Sequence, residues 1–149
     1  MAHDDPMGFP AIDGLGHIDF TVTNLERSAK WWEEVMGFTL VATDQRSGFR
    51  VWNLFHPSFL VIGLVAFDDG PATTRFDERA IGLDHLALRV PDRAALEAWA
   101  EHLDDVGVER SEVKEEDGGP LITFRDPDNI QLELWAFDPA LVKGKPVVR

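Results

Sequence analysis

The sequence predicts an α+β fold in which a strand–helix–strand–strand–strand (βαβββ) module occurs twice in tandem. Residues 14–22 (GLGHIDFTV) resemble residues 82–90 (GLDHLALRV), and both segments alternate apolar and polar side chains as a half-buried strand does. Each segment is followed by a helical pattern and then by three strand-like runs. A repeat of this length is typical of one supersecondary unit that is used twice.

The first module is expected to span residues 14–67. Its helix is predicted between Asn24, whose side chain suits an N-cap, and Gly37, which suits the left-handed position after the last turn. The strand-like runs that follow the helix are residues 39–41, 49–55 and 59–67. Turn-forming residues at 47–48 and 56–58 separate these runs.

The second module is expected to span residues 81–137. Asp92 and Gly107 bracket its helix, along which an apolar stripe recurs at helical spacing: Leu96, Trp99, Leu103 and Val106. Strands are predicted at residues 108–113, 121–124 and 130–137, with turns at 118–120 and 126–129. The remaining segments are interpreted as a flexible N-terminus (1–13), a polar linker (68–80) and a C-terminal tail (138–149).

The composition fits one domain and argues against several classes of partner. With 149 residues, 44% of them hydrophobic, the chain can bury a core of its own. Its net charge of -13 argues against nucleic-acid and membrane-surface partners, which are themselves anionic. The absence of cysteine excludes disulfides and thiolate metal sites. No segment has the apolar length of a membrane span, and the acidic start does not match a signal peptide, so a cytoplasmic protein is expected.

One face of the predicted sheets carries the side chains that could do chemistry. Alternate residues of a strand point to opposite faces, so the apolar set lies under the helices and the polar set lies on the other face. The polar set contains His17, Asp19, Thr21, His85, Arg125, Gln131, Glu133 and Trp135. Lysine, a residue of open surfaces, is nearly absent from this face. The face is therefore interpreted as the lining of a cavity.

Three members of this set are metal-ligand residue types. His17 and His85 stand at equivalent positions of the repeat, and Glu133 lies in the last strand. Two imidazoles and one carboxylate can hold a divalent ion and leave positions open for a substrate. The residues alone leave open the alternative that both histidines are hydrogen-bonded sheet residues and that Glu133 is a solvated acid. The other histidines, His3, His56 and His102, are not expected to be ligands.

Three segments together resemble the vicinal oxygen chelate superfamily, which includes glyoxalase I, bleomycin-resistance proteins, extradiol dioxygenases and fosfomycin-resistance enzymes. These segments are GHIDFTV with NLERS after it, DHLALRV, and the closing RDPDNIQLELW, and the resemblance covers residues 14–137. It implies that the two modules form an incomplete β-barrel around a cavity, the glyoxalase/bleomycin resistance/dioxygenase fold, in a homodimer. It also implies that His17, His85 and Glu133 bind a divalent metal: Fe(II), Mn(II) or Zn(II).

The chain departs from the glyoxalase pattern at one position. Glyoxalase-type members have a fourth ligand in the last strand of the first module, where aligning Pro57 with Pro127 puts Gly63 opposite Glu133. Because glycine can neither bind the metal nor take a proton, glyoxalase I activity is not expected. The remaining ligand set matches ring-cleaving dioxygenases and fosfomycin-resistance enzymes. The absence of tyrosine argues against the former, and the scarcity of cations for a phosphonate argues against the latter. The candidate cations are Arg89 and Arg125, with Lys143, Lys145 and Arg149 of the tail.

Two functions are carried forward. In the first, the protein is a metal-dependent enzyme of the lyase or dioxygenase type that chelates a small oxygenated substrate. Asp19, Thr21, Arg125 and Gln131 then contact the substrate or support the ligands. In the second, no metal is bound, and the cavity sequesters a small aromatic or hydrophobic molecule as bleomycin-resistance proteins do. Its stacking surfaces are expected to be Trp52, Phe55 and Trp135.

Overall fold

The computed structural model describes Ile12 and residues 14–141, so the rest of the expected flexible N-terminus and the tail beyond Leu141 lie outside the described residues. Along the described chain the elements are β1 (Ile18–Thr21), α1 (Leu25–Met36), β2 (Thr39–Arg46), β3 (Phe49–Phe55), β4 (Val61–Phe67), β5 (Leu86–Arg89), α2 (Arg93–Asp105), β6 (Lys114–Glu116), β7 (Gly119–Arg125), β8 (Gln131–Trp135) and a 3-10 turn (Pro139–Leu141). Within this part of the chain, neither helix is long and apolar enough to cross a membrane.

The described strands form two four-stranded sheets with the same topology. Their orders are β1-β4-β3-β2 and β5-β8-β7-β6. In each sheet the first strand pairs in parallel with the last, and the other pairs are antiparallel. The predicted α+β fold of two tandem βαβββ modules is therefore confirmed. Neither sheet closes on itself, as an incomplete barrel requires.

The helices begin at the predicted caps. Asn24 accepts a hydrogen bond from the backbone N–H of Arg27 at 2.8 Å, and Gly37 takes the left-handed conformation, with φ of 72°, after α1. Asp92 caps α2 in the same way, accepting from the N–H of Ala95 at 2.9 Å. Both helices are therefore set by side chains that can be recognised in the sequence.

The predicted strands 59–67 and 130–137 are slightly shorter in the structure, as β4 and β8, and three other strand limits differ more. Strand β2 runs to Arg46, well beyond the predicted 39–41. The predicted strand 108–113 is reduced to one bridge, Arg110 to Phe124, before β6 begins at Lys114. The Ser111 N–H still donates to the Thr123 carbonyl at 2.8 Å, but the Thr123 N–H donates to the side-chain oxygen Oγ of Ser111 at 3.0 Å and not to a backbone carbonyl, so the regular ladder is interrupted. Gly119 and Pro120, expected in a turn, open β7 instead.

The apolar faces of both sheets pack against the helices in one core. Trp32 of α1 is fully buried and stacks on Phe20 of β1, with ring centroids 5.9 Å apart. Trp31 reaches the other module, where its ring lies 6.3 Å from that of Phe124. Burial of apolar surface therefore stabilises both modules and also joins them.

The Asp-Pro-Asp turn between β7 and β8 ties the second module to the start of α1. Asp128, only 6% exposed, accepts hydrogen bonds from the N–H (2.9 Å) and hydroxyl (2.6 Å) of Thr23 and from the Arg27 guanidinium (2.7 Å). Asp126 holds the turn itself, since its Oδ1 accepts from the N–H groups of Asp128 and Ile130. Its Oδ2 is buried without a hydrogen-bond partner among the described residues.

This unsatisfied carboxylate predicts a pH dependence of stability. Burial raises the pKa of Asp126 from 3.8 to about 6. The folded state therefore holds the proton more tightly than the unfolded state, and the contribution of Asp126 to the free energy of unfolding falls as pH rises from about 4 to 6. At about 1.4 kcal/mol per pKa unit, the loss is about 3 kcal/mol.

Replacement of Asp126 by Asn keeps the Oδ1 acceptor and removes the buried charge. The free energy of unfolding of the wild type and of D126N can be measured with urea at several pH values between 4 and 7. The value for D126N minus the value for the wild type should be larger at pH 7 than at pH 4. The same difference in stability at both pH values would contradict this account of Asp126.

Candidate functional site

The polar face of the first sheet begins with His17 and Asp19. His17 immediately precedes β1, and the side chains of His17 and Asp19 are 65% and 43% exposed. His17 Nε2 lies 4.0 Å from Asp19 Oδ1. Phe20, between Asp19 and Thr21, points into the core. The alternation of β1 therefore presents His17, Asp19 and Thr21 on the face away from α1, as predicted.

His85 stands at the matching position before β5. Its Nδ1 lies 2.6 Å from Asp84 Oδ1. When Asp84 is ionised it can only accept, so Nδ1 carries the proton and the Nε2 lone pair is left for another partner. A histidine oriented in this way by a carboxylate is a typical metal ligand.

Glu133 lies in the middle of β8 and is only 9% exposed. Its neighbours in the sheet are Ala87 of β5 and Thr123 of β7. Burial raises the pKa of its carboxyl group, and the nearby His85 works in the opposite direction. Among the described residues, the Glu133 carboxylate has no hydrogen-bond partner. The carboxylate oxygens are not among the fully buried unpaired atoms of the described residues, so they face a space open to solvent, in which a cation or a hydrogen-bonding ligand can bind.

One chain does not bring the three expected ligands together. His17 belongs to the first sheet, whereas His85 and Glu133 belong to the second. Across Ile12 and residues 14–141, no three histidine or acidic side chains are close enough to hold a metal ion.

The strand registers bear out the alignment of Gly63 with Glu133. Gly63 of β4 pairs with Asp19 of β1, and Glu133 of β8 pairs with Ala87 of β5. Asp19 and Ala87 each lie two residues after the histidine of their module. The last strand of the first module thus has no side chain at the position where the second module has its carboxylate.

Arg125 is held by the linker between the modules. Its guanidinium donates to both carboxylate oxygens of Glu78, at 2.9 and 3.0 Å, and to Gln131 Oε1 at 2.8 Å. This pairing lowers the pKa of Glu78 to about 2. The positive charge of Arg125 is therefore already neutralised. Sequence reasoning missed Glu78, because nothing in a polar linker indicates which of its acids returns to the sheet.

The three expected stacking residues lie in different surroundings. Trp135 donates from its indole N–H to the Gly119 carbonyl at 3.0 Å, and its ring centroid lies 4.6 Å from that of Phe137. The ring centroid of Phe55 lies 6.1 Å from that of Phe59. Trp52 alternates with Phe55, lies on the same face of β3 as buried Leu54, and packs against the core. The structure therefore separates Trp52 from the polar face.

A cavity of about 390 Å³ adjoins β1. Asp19, Thr21 and Thr23 line one side of it, and residues 71–76 of the linker line another. Arg75 of this segment donates to Asn129 Oδ1 at 2.7 Å, which ties the linker to the turn before β8. The linker, interpreted from the sequence only as a connection, thus forms a wall next to two expected site residues.

A family model matches most of the chain. The model of the Glyoxalase/Bleomycin resistance protein/Dioxygenase superfamily covers residues 14–134. Among solved structures, a glyoxylase/bleomycin resistance protein/dioxygenase domain from Frankia sp. EAN1pec is 30% identical, with a TM-score of 0.79 over 86% of this chain and 100% of that one. No protein with a curated description matches the chain.

Two more distant structures share the fold. A variant of the fosfomycin resistance protein FosX from Listeria monocytogenes, complexed with Mn(II) and 1S,2S-dihydroxypropylphosphonic acid, is 20% identical, with a TM-score of 0.65 over 88% of this chain and 95% of that one. The antibiotic binding protein TnmS3 from Streptomyces sp. CB03234 is 22% identical, with a TM-score of 0.67 over 87% of this chain and 100% of that one. At these identities the likeness shows the fold alone.

The Arg125–Glu78 ion pair should restrain the linker against β7. Replacement of Glu78 by Gln removes the charge that holds the linker against β7, so amide hydrogen exchange in residues 74–80 should become several-fold faster. The matched control is E97Q, which removes a carboxylate from the longer, 3.9 Å pair with Arg93 on α2. Exchange in the linker should not change in the control. Equal exchange in E78Q and the wild type would show that the pair does not restrain the linker.

Proposed function

Because the chain belongs to the glyoxalase/bleomycin resistance protein/dioxygenase superfamily, we propose that it is a cytoplasmic metalloprotein that chelates a small oxygenated substrate. His17, His85 and Glu133 hold the divalent ion. The observation that carries this proposal is the Glu133 carboxylate, which lies near His85, is 9% exposed and makes no hydrogen bond within the described residues. Two imidazole nitrogens and a carboxylate oxygen suit Fe(II), Mn(II) and Zn(II).

We further propose that the site is completed between two copies of the chain. His17 of one copy meets His85 and Glu133 of the other, and a two-fold axis makes two such sites. This is supported by the exposure of His17 on the uncovered face of the first sheet. Large apolar side chains of the first module are exposed as well: Phe59 (84%), Val41 (59%) and Phe67 (44%). Covering such side chains favours association.

The chain's own residues then have distinct tasks. A bound divalent ion supplies Lewis acidity and open positions for two adjacent oxygens of the substrate. Asp84 holds the His85 ring with Nε2 directed away from Asp84. The Thr21 hydroxyl borders the 390 Å³ cavity and can bind a polar substrate group. Gln131 accepts from Arg125 through Oε1, so its amide N–H groups remain able to donate.

The charges around the proposed site favour a neutral or cationic substrate over a phosphonate. Arg125 is paired with Glu78, and the chain carries a net charge of -13. Asp19 and Asp84 add negative charge beside His17 and His85. A phosphonate needs unpaired guanidinium or ammonium groups around it. We therefore infer that Arg125 does not bind a phosphonate like the one in the FosX variant.

A second function is favoured by one observation. Within the described part of a single chain, no three-donor metal cluster forms. A chain of this fold can then act as a metal-free protein that sequesters a small aromatic molecule, for which the Trp135–Phe137 pair offers a stacking surface.

The two functions differ in their response to a chelator. If the metal-free function is correct, quenching of tryptophan fluorescence by an aromatic ligand should be the same with and without EDTA. Loss of quenching in EDTA, with recovery on addition of metal, would rule that function out.

Replacement of His17 tests the proposed metal site. The wild type, titrated with Mn(II), Fe(II) or Zn(II), should bind one ion per chain, and H17A should lose this binding because one of three protein ligands is removed. The matched control is H56A, because His56 is hydrogen-bonded to Ser58 within its own turn. It should bind as the wild type does. Undiminished, stoichiometric binding in H17A, measured by elemental analysis after dialysis, would overturn the proposal.

A further inference from the structure

In each module the first strand pairs with the last, and one of the two residues at a matched position of this pair is a carboxylate. The two modules carry that carboxylate on different strands. In the second module, Glu133 of β8 faces the small residue Ala87 of β5. In the first, Asp19 of β1 faces Gly63 of β4. Each pair therefore has one carboxylate and one residue with little or no side chain. The carboxylate therefore lies on the first strand of the first module and on the last strand of the second.

The space above Gly63 is filled by the side chain of Asp19. A Cβ atom added at residue 63 would lie 2.1 Å from Asp19 Oδ1 and 2.7 Å from its Cγ. Gly63 is not among the described residues with positive φ, so its backbone does not require glycine. A side chain at residue 63 would have to displace the Asp19 carboxylate from this space. The carboxylate thus reaches across to β4.

We propose that Asp19 is the fourth protein ligand of the divalent ion and replaces the side chain that Gly63 lacks. This inference rests on the proposed function. The site then contains one histidine and one carboxylate from each module: His17 with Asp19, and His85 with Glu133.

The geometry of the first pair fits this role. Donor atoms bind such ions at about 2.0–2.2 Å, so two donors on one ion are at most about 4.4 Å apart. His17 Nε2 and Asp19 Oδ1 are 4.0 Å apart on the same strand face, within that limit. Among the described residues, the Asp19 carboxylate has no hydrogen bond and no arginine or lysine partner. It is therefore available to an ion.

Charge balance distinguishes this site from one with three ligands. Two carboxylates neutralise a divalent ion, whereas Glu133 alone leaves one positive charge. Asp19 also borders the 390 Å³ cavity, together with Thr21. The fourth ligand therefore lies at the edge of the space available to a substrate, and fewer positions on the ion remain open to it.

The test compares Mn(II) affinity in the full-length wild type and in D19N, read from the electron paramagnetic resonance signal of free Mn(II). D19N should raise the Kd at least about tenfold, because removal of a direct ligand should weaken binding no less than removal of an outer-shell partner does. The matched control is D44N, because Asp44 lies in the same sheet and is similarly exposed, at 47%. It removes the same charge and should leave the Kd unchanged. The Co(II) visible spectrum should change in D19N and not in D44N.

A double variant, D19A/G63E, returns the carboxylate to β4. It should bind Mn(II) more tightly than D19A, and thermal unfolding without metal should confirm that each variant is folded. If D19N is like the wild type in Kd and Co(II) spectrum while H17A loses binding, Asp19 is not a ligand and the proposed function stands. Equal weakening in D19N and D44N would also overturn the inference. If the wild type binds no metal, both proposals fail.

Discussion

The parallel pairing of the first and last strands in each module is the constraint on which the rest of the structure depends. A parallel pair cannot be joined by a tight turn, and in each module the long connection begins with a helix that crosses one face of the sheet and continues through the two other strands. The apolar side chains of both strands are buried under that helix, as Phe20 and Leu64 are in the first module. The opposite face remains free for His17 and Asp19 and, in the second module, for His85 and Glu133.

Contacts between the modules limit what one chain can assemble. Asp128 binds the start of α1 through Thr23 and Arg27, and His102 Nε2 lies 2.8 Å from the Val35 carbonyl at the other end of that helix. These polar contacts, with Trp31 against Phe124, hold the modules in an arrangement in which no three-donor cluster forms within the described residues. The incomplete state of the proposed site is thus a consequence of the same packing that stabilises the chain.

Much of the fold could be predicted because it depends on local signals. The repeat, the caps Asn24 and Asp92, and the alternation of β1 and β8 are visible in the sequence, and the structure confirms them. The hydrogen bond from the Thr123 N–H to the Ser111 side chain could not be predicted, because the prediction would require the partner strand to be known. Likewise, the pairing of Arg125 with Glu78 and the reach of Asp19 over Gly63 are contacts between distant segments. The grouping of Trp52 with Phe55 ignored their alternation in β3.

The central claim is that one metal site is shared between two chains, with His17 from one and His85 and Glu133 from the other. Co-expression of H17A and E133Q chains with different tags allows the mixed dimer to be isolated and its metal content measured. The mixed dimer should bind one ion, because one of its two sites keeps all three ligands, whereas each parent homodimer should bind none. A mixed dimer that binds no metal, beside a wild type that does, would contradict the claim.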